Sequence, residues 1–142
     1  WGSTTCEPVP RAACRRANLA GADLAGRDLS GIDLRSANLT DANLVGVNFT
    51  DANLIGADLS GADLSTAVLV RAALDDAVLV GANLARARVT SAKFTGADLT
   101  DAVLVDVFAT DADFSEATGG DLSALFACNT KMPDGEVAEP SC

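Results

Sequence analysis

The chain has 142 residues, enough for one compact domain, and 20 Asp and Glu against 10 Lys and Arg give it a net charge of −10. Binding a phosphate backbone needs a cationic stripe, so we expect no direct nucleic-acid binding. Histidine is absent, which removes the commonest general base and metal ligand. No apolar run reaches the roughly 18 residues of a membrane span.

Two pairs of cysteines flank the middle of the chain: Cys6 with Cys14, and Cys128 with Cys142. Their even number, local spacing and terminal placement favour two disulfides, formed in an oxidising compartment. We therefore expect an extracytoplasmic location, either secreted, periplasmic or in an organelle lumen. Four free thiols or a zinc site joining the two ends are the alternatives, although zinc is poorly supported without a CxxC motif or a histidine.

A five-residue period occupies the chain between the cysteine pairs, from residue 17 to 116. Stepping by five from Leu19 gives twenty centres, of which eighteen are Leu or Phe. Two residues before the centre, sixteen of twenty are Ala, and the residue directly before it is Asp or Asn in thirteen of twenty. The position two after the centre is mostly Gly, Asp or Ser.

A five-residue period fits neither a regular α-helix nor a regular β-strand. Apolar residues of a helix recur at three and four, and those of a strand at two. Spacing of two then three fits a short extended segment followed by a corner, with the Leu or Phe and the Ala pointing inward. The Asp or Asn between them then points outward, and the polar residues form the corner.

Units such as Ala22-Asp23-Leu24-Ala25-Gly26 and Ala57-Asp58-Leu59-Ser60-Gly61 resemble the pentapeptide-repeat family. The resemblance covers residues 17–116 and implies an all-β fold, the right-handed quadrilateral β-helix, with four pentapeptides per coil. It implies five coils here, at residues 17–36, 37–56, 57–76, 77–96 and 97–116. At the usual inter-strand spacing such a rod is on the order of 24 Å long.

The ends of a solenoid need covers, because a terminal coil exposes apolar side chains and an unpaired edge. Residues 1–16 are the expected N-terminal cap, with a short helical turn in Pro10–Arg16, and residues 117–142 the C-terminal cap. Within the latter, 121–126 predicts an N-capped short helix and 132–135 a tight turn. The stretch 128–135 followed by Cys142 resembles the C-terminal segment of extracytoplasmic and lumenal pentapeptide-repeat proteins of bacteria and plastids.

With four units per coil, one face has outward carboxylates and no positive side chain. We treat it as a candidate interaction face for a cationic partner; its residues are Asp41, Asp58, Asp98 and Asp101. Carboxylate pairs on a convex rod lack the apolar pocket that general acid catalysis needs. Calcium requires oxygens converging from several directions. We expect no catalytic, cofactor-binding or metal-binding residues, and therefore no enzyme.

Three classes of function are compatible with these features. The first is a monomeric, non-catalytic structural or protein-interaction module with an unknown protein partner. The second is a DNA-mimicking inhibitor of a type II topoisomerase, an activity that the resemblance implies for some members. The third, an ice-binding solenoid, needs a regular threonine array, whereas the relevant column reads Ala20, Thr40, Ser60, Val80 and Thr100.

Two residues break the pattern and carry specific expectations. Arg27 stands in a column of inward Ala, and a buried unpaired guanidinium costs several kcal/mol. We expect it to escape burial and meet Glu7 or a carbonyl of the cap. Ala109 leaves a gap among the large centres, so we expect a distorted fifth coil in which Phe108 is at least partly buried.

Overall fold

The structure is a computed structural model that describes residues 6–138. In this part of the chain the one helical element is the 3₁₀ helix Leu122–Ala124, and no strand is longer than a single bridging residue. Parallel bridges recur twenty residues apart, from Ala13 with Asp33 to Asp98 with Thr118. Four five-residue units therefore complete one coil, and residues twenty apart stand above one another in a column.

The core lies inside the rod and is built from the two inward positions of each unit. Leu59 and Ala57 represent these positions, and both are 0% exposed. A small residue beside a large one at each side gives a narrow core. The predicted pattern of inward Leu or Phe and Ala is confirmed along the rod. Arg27 is exposed, which confirms that it escapes burial, while its contact with Glu7 stays a prediction.

Backbone hydrogen bonds join each coil to the next. Leu24 N–H donates to Asn43 O at 2.8 Å, and Gly26 N–H to Val45 O at 2.8 Å. In the opposite direction, Asn43 N–H donates to Ala22 O at 2.9 Å. The backbone N–H and C=O groups of each side thus form hydrogen bonds with the coils above and below. Long strands are therefore not needed to satisfy these groups.

The side chain of the outward Asp or Asn of a unit accepts a hydrogen bond from the backbone of the corner that follows. Asp58 Oδ1, for example, accepts the N–H of Ser60 at 3.0 Å. The second corner residue has a left-handed backbone, as at Gly61 with φ 68° and at Asp41 with φ 55°. Asp and Asn tolerate this conformation better than most residues. The polar residues at these positions therefore make the corner.

The N-terminal end differs from the prediction. Ala13 bridges Asp33 as a repeat residue does, and Cys14 is buried in the column of Leu34. The helical turn expected here is wrong, because residues 12–16 take the repeat conformation instead. The predicted Cys6–Cys14 disulfide is confirmed, with the two Cα atoms 5.2 Å apart. The Cys128–Cys142 disulfide stays a prediction, since Cys142 lies outside the described residues.

The C-terminal end contains both predicted elements. The helix Leu122–Ala124 is capped by Asp121, whose side chain accepts the N–H of Ser123 at 3.0 Å. The tight turn is closed by a hydrogen bond from Gly135 N–H to Met132 O at 2.9 Å. Both predictions are confirmed.

The closing segment of the chain is shorter than a coil. Bridges join Phe108 to Phe126 and Asp113 to Lys131, so residues eighteen apart now pair where residues twenty apart pair elsewhere. Leu122 and Leu125 are partly buried against the core. The 3₁₀ helix thus closes the end of the rod along a path two residues shorter than a coil.

The expectation that Phe108 turns inward is wrong. Phe108 is 47% exposed, keeps the regular bridge to Arg88, and stacks on Phe126 with ring centroids 5.1 Å apart. Thr130 in the closing segment is fully buried, and its hydroxyl donates to the carbonyl of Ala109. Because Thr130 occupies the space beside Ala109, the unit that contains Ala109 remains regular and Phe108 stays outside.

Candidate functional site

The predicted acidic face does not bring its carboxylates together. Asp58 and Asp98 share one outward column, but Val78 stands between them and bridges both. At about 4.8 Å per coil, two carboxylates in this column are roughly 10 Å apart. That distance is close to the Debye length at physiological salt, so each carboxylate acts almost alone.

Local hydrogen bonds occupy both carboxylates. Asp98 Oδ1 accepts from the hydroxyl of Thr100 at 2.6 Å and from its N–H at 3.0 Å. These two bonds favour the ionised form and lower the pKa of Asp98. Asp58 makes the same pair of bonds with Ser60. The pKa of Asp98 thus moves in the opposite direction to that of a general acid.

The other two residues of the acidic face lie at corners. Asp41 and Asp101 have left-handed backbones with φ 55° and 57°, and both are exposed. Within residues 6–138, no group of three or more His, Cys, Asp or Glu could hold a metal ion. The face is therefore an array of separated negative charges.

The whole rod separates its negative charges in the same way. None of the bridges among the described residues joins two carboxylates. In several columns an amide lies over an acid, as where Asn43 Nδ2 donates to Asp23 Oδ1 at 3.1 Å and Asn83 Nδ2 to Asp63 Oδ1 at 3.3 Å. Alternation of Asp and Asn thus replaces repulsion between coils with a hydrogen bond.

Cations neutralise the acids on two other sides. Arg35 binds Asp33 through two bonds of 2.8 and 2.6 Å, and Arg15 lies 4.0 Å from the same carboxylate. The hydrogen bond from Arg35 is the main reason that the pKa of Asp33 is lowered. Arg71 reaches Asp51 from one coil above. The predicted face is distinct because no such cation interrupts its columns.

A second surface feature, at the C-terminal edge of the rod, escaped the sequence analysis. Val103 and Val105 are 46% and 47% exposed, and the Phe108–Phe126 stack lies on the next side. Leu104 N–H makes no backbone hydrogen bond in the described part of the chain. The sequence did contain a sign of this apolar surface: at the outward position before the centre, Val103 and Phe108 replace the usual Asp or Asn.

No helix in the described part of the chain has the length and hydrophobicity needed to cross a membrane. A comparison with curated proteins gave no match. Among solved structures, a pentapeptide repeat protein from the cyanobacterium Cyanothece 51142 is 30% identical, with a TM-score of 0.61. That match covers 70% of this chain and 63% of the cyanobacterial one, so this chain spans less than two thirds of that protein.

Two further structures show the same fold. A pentapeptide repeat protein of the Arabidopsis thaliana thylakoid lumen is 37% identical, covers 66% of this chain and 69% of its own, and has a TM-score of 0.55. QnrB1, a plasmid-mediated fluoroquinolone resistance protein, is 17% identical over 81% of this chain and 78% of its own, with a TM-score of 0.51. At that identity the likeness concerns the fold alone.

The family model for pentapeptide repeats matches with eight copies, over residues 12–51, 48–84 and 82–118. These ranges contain the columns described above and begin at the first unit with repeat geometry. The fold is accordingly the right-handed quadrilateral β-helix. The chain belongs to the pentapeptide repeat family.

Proposed function

We propose that this protein is a non-catalytic module that binds a protein partner, or serves a structural role, outside the cytoplasm. One observation carries the proposal: in the described part of the chain, Thr130 is the one buried polar residue. Catalytic groups depend on burial and convergent neighbours to shift their pKa values. Here the interior is apolar and the polar chemistry lies on a convex surface, which suits recognition.

The acidic face is the part of this surface that we assign to a partner. Asp41, Asp58, Asp98 and Asp101 present negative charge without a positive side chain in their columns. Steering by such a surface favours a cationic protein and raises its association rate. We infer that the partner offers Lys or Arg side chains spaced along a flat or concave surface.

The architecture and the compartment belong to the same proposal. We keep five coils over residues 17–116, a cap at 117–142 and a monomeric rod, and we count residues 12–16 with the repeat instead of the N-terminal cap. The Cys6–Cys14 disulfide supports an oxidising compartment, because such bonds persist outside reducing cytosol. The 37% identical relative from a thylakoid lumen supports the same location.

The test is affinity capture from the native extracytoplasmic fraction with three baits. The first is the unaltered protein, and the second replaces Asp41, Asp58, Asp98 and Asp101 with Asn. A matched control replaces four acids on other sides with Asn: Asp23, Asp28, Asp63 and Asp111. We expect a partner on the first bait and the control, and its loss from the second. A partner retained by all three would exclude the acidic face, and no specific partner on any would contradict an interaction role.

Inhibition of a type II topoisomerase by DNA mimicry is the second candidate, which the net charge of −10 on a rod favours. It ranks lower because Arg35, Arg71 and Arg88 interrupt the negative columns on two sides. A supercoiling assay with DNA gyrase separates the two candidates. We expect no inhibition at micromolar protein, and inhibition there would replace the first proposal with the second.

A further inference from the structure

We propose that the open edge formed by residues 101–106 binds a short extended segment of a basic partner protein, which adds one strand to the last coil. This inference rests on the interaction role proposed above and names a second surface, which shares only Asp101 with the acidic face. It follows from how the chain closes the end of the rod.

In the described part of the chain, the shorter closing path leaves one side of the last coil without a paired strand on its C-terminal side. On one flank Leu99 N–H donates to Thr118 O at 2.7 Å, and on the other Phe126 N–H donates to Val107 O at 2.8 Å. Between Thr118 and Phe126 the chain forms the 3₁₀ helix instead of pairing. Residues 101–106 therefore pair with the coil before them but have no strand among the described residues on their C-terminal side, although both flanks have one.

The edge has a defined set of hydrogen-bonding groups. One coil earlier, Leu84 N–H and Arg86 N–H donate to Val103 O at 2.8 Å and Val105 O at 3.0 Å. Their equivalents at the edge, the N–H groups of Leu104 and Asp106, make no backbone hydrogen bond within residues 6–138. An added strand would meet these donors with two carbonyl groups spaced two residues apart.

A backbone carbonyl of the same edge also lacks a hydrogen-bond donor in the described backbone. In the interior of the rod, Val103 N–H donates to Ala82 O at 2.9 Å. No backbone N–H within residues 6–138 donates to the equivalent carbonyl at the edge, Ala102 O. An N–H of an incoming strand can donate to this carbonyl.

The unpaired edge is only one side of the rod wide, which favours a short peptide over a second rod as its binding partner. Thr118 and Phe126 already fill the level above the last coil on the adjoining sides. A second rod has a complete coil at its end and would collide with both, so it cannot reach the edge. A peptide of about four or five extended residues spans one side and can turn away at each corner.

The side chains around the edge define the chemistry of that peptide. Val103 and Val105 flank the edge, with Phe108 on the next side, and all three are about half exposed. Two exposed carboxylates, Asp101 and Asp106, lie at its corners. Arg86 is one coil earlier in the column of Asp106, which leaves two carboxylates against one guanidinium. Alternating apolar residues with Lys or Arg at both ends complement this surface.

The test uses backbone amide NMR of the full chain and the synthetic peptide acetyl-Arg-Val-Thr-Val-Arg-amide. In the free protein we expect the Leu104 and Asp106 amides to exchange at least a hundredfold faster than those of Leu84 and Arg86. Equal protection would show that the chain covers its own edge and would overturn the proposal. Shifts of the Leu104 amide with protein concentration alone would assign the edge to a second copy, and so would also overturn it.

On titration we expect saturable shifts centred on Leu104 and Asp106. The charge-reversed peptide acetyl-Glu-Val-Thr-Val-Glu-amide should bind at least tenfold more weakly, and equal binding would contradict the charge argument. Val103→Lys with Val105→Lys should weaken binding at least tenfold. The control, Val68→Lys with Val70→Lys, has the same two positions on a paired side and should bind normally; equal loss in both variants would exclude the edge.

Affinity capture distinguishes this inference from the broader proposal. If a partner is captured equally by the unaltered protein and the Val103→Lys, Val105→Lys variant, the interaction role stands and the open edge is wrong. If the peptide fails to bind and no partner is captured, both are wrong. Loss of the partner from that variant alone, with the Val68→Lys, Val70→Lys control unaffected, supports the edge.

Discussion

Arg71 Nε donates to Asp51 Oδ1 at 2.7 Å, although twenty residues separate the two in the chain. The contact exists because one coil contains four units, which places the corner of residue 71 directly above that of residue 51. It illustrates how the outward columns pair opposite charges or alternate them with neutral groups. The arrangement of charge is therefore matched to the length of the coil.

Replacing Arg71 with Glu would put two carboxylates at adjacent levels of this column. We expect a lower melting temperature at low ionic strength, because a favourable contact becomes a repulsive one. In 1 M NaCl, where the Debye length is about 3 Å, the difference should largely disappear. Arg71→Gln is the control, and thermal melting at both salt concentrations is the measurement. A salt-independent effect as large as that at low salt would contradict this explanation.

Two stacked pairs of aromatic rings, one exposed and one buried, should contribute very differently to the free energy of unfolding. Phe114 is fully buried and stacks on Phe94 with ring centroids 4.7 Å apart, so Phe114→Ala should cost about 3–5 kcal/mol. Phe108→Ala removes a half-exposed ring that stacks on Phe126 and should cost only about 0.5–1.5 kcal/mol. Chemical denaturation of both variants measures the difference, and equal losses would contradict the packing described here.

Two glycines with similar backbones should respond differently to a methyl group. Gly119 and Gly21 have φ 68° and 66°, so Ala is strained at both by about 1–2 kcal/mol. A Cβ on Gly119 would also lie 2.6 Å from the Cα of Thr100, whereas at Gly21 nothing lies within 4 Å. We expect Gly119→Ala to lower the free energy of unfolding by at least twice as much as Gly21→Ala. Urea denaturation measures both losses. Similar losses for the two variants would show that the backbone at Thr100 shifts to make room for the methyl group.

Acid should weaken the N-terminal part of the rod through Asp33. Its pKa is lowered from an ordinary value of 3.8, chiefly by the hydrogen bond from Arg35. A carboxyl group with a depressed folded pKa stabilises the protein above its unfolded pKa, and this is lost as the pH falls from about 4 through the folded pKa. Asp33→Asn and Arg35→Gln should both flatten the pH dependence of stability in that range. Unchanged slopes in both variants would rule out this pair as the cause.

Much of the fold could be predicted because the repeat encodes it locally. The five-residue period identified the inward positions, such as Leu59 and Ala57, from sequence alone. The number of sides could not be obtained that way, since any number of units satisfies the same period; it came from resemblance. The disulfide Cys6–Cys14 followed from proximity and composition.

The pairing register of the C-terminal end could not be predicted, although its short helix and tight turn were, because residues 119–130 do not repeat. Interpreting Ala109 as a gap assumed that the next level continued at twenty residues. The chain instead closes in eighteen, which places Thr130 beside Ala109 and leaves Phe108 outside. The open edge has the same origin: it depends on a length of chain, and periodicity gives no information about that length.

The twenty-residue register has a consequence for how such a rod can change in length. Inserting one pentapeptide between Asp51 and Arg71 would preserve inward and outward positions yet rotate everything downstream by a quarter turn. Thr66 would then stand above Asp51, and an insertion between Phe94 and Phe114 would set Ala109 above Phe94. Only insertion of a complete coil preserves the surface on both sides of the join. Pairing of side chains within each column should therefore restrict viable length variants to steps of four units, even though the core itself accepts one.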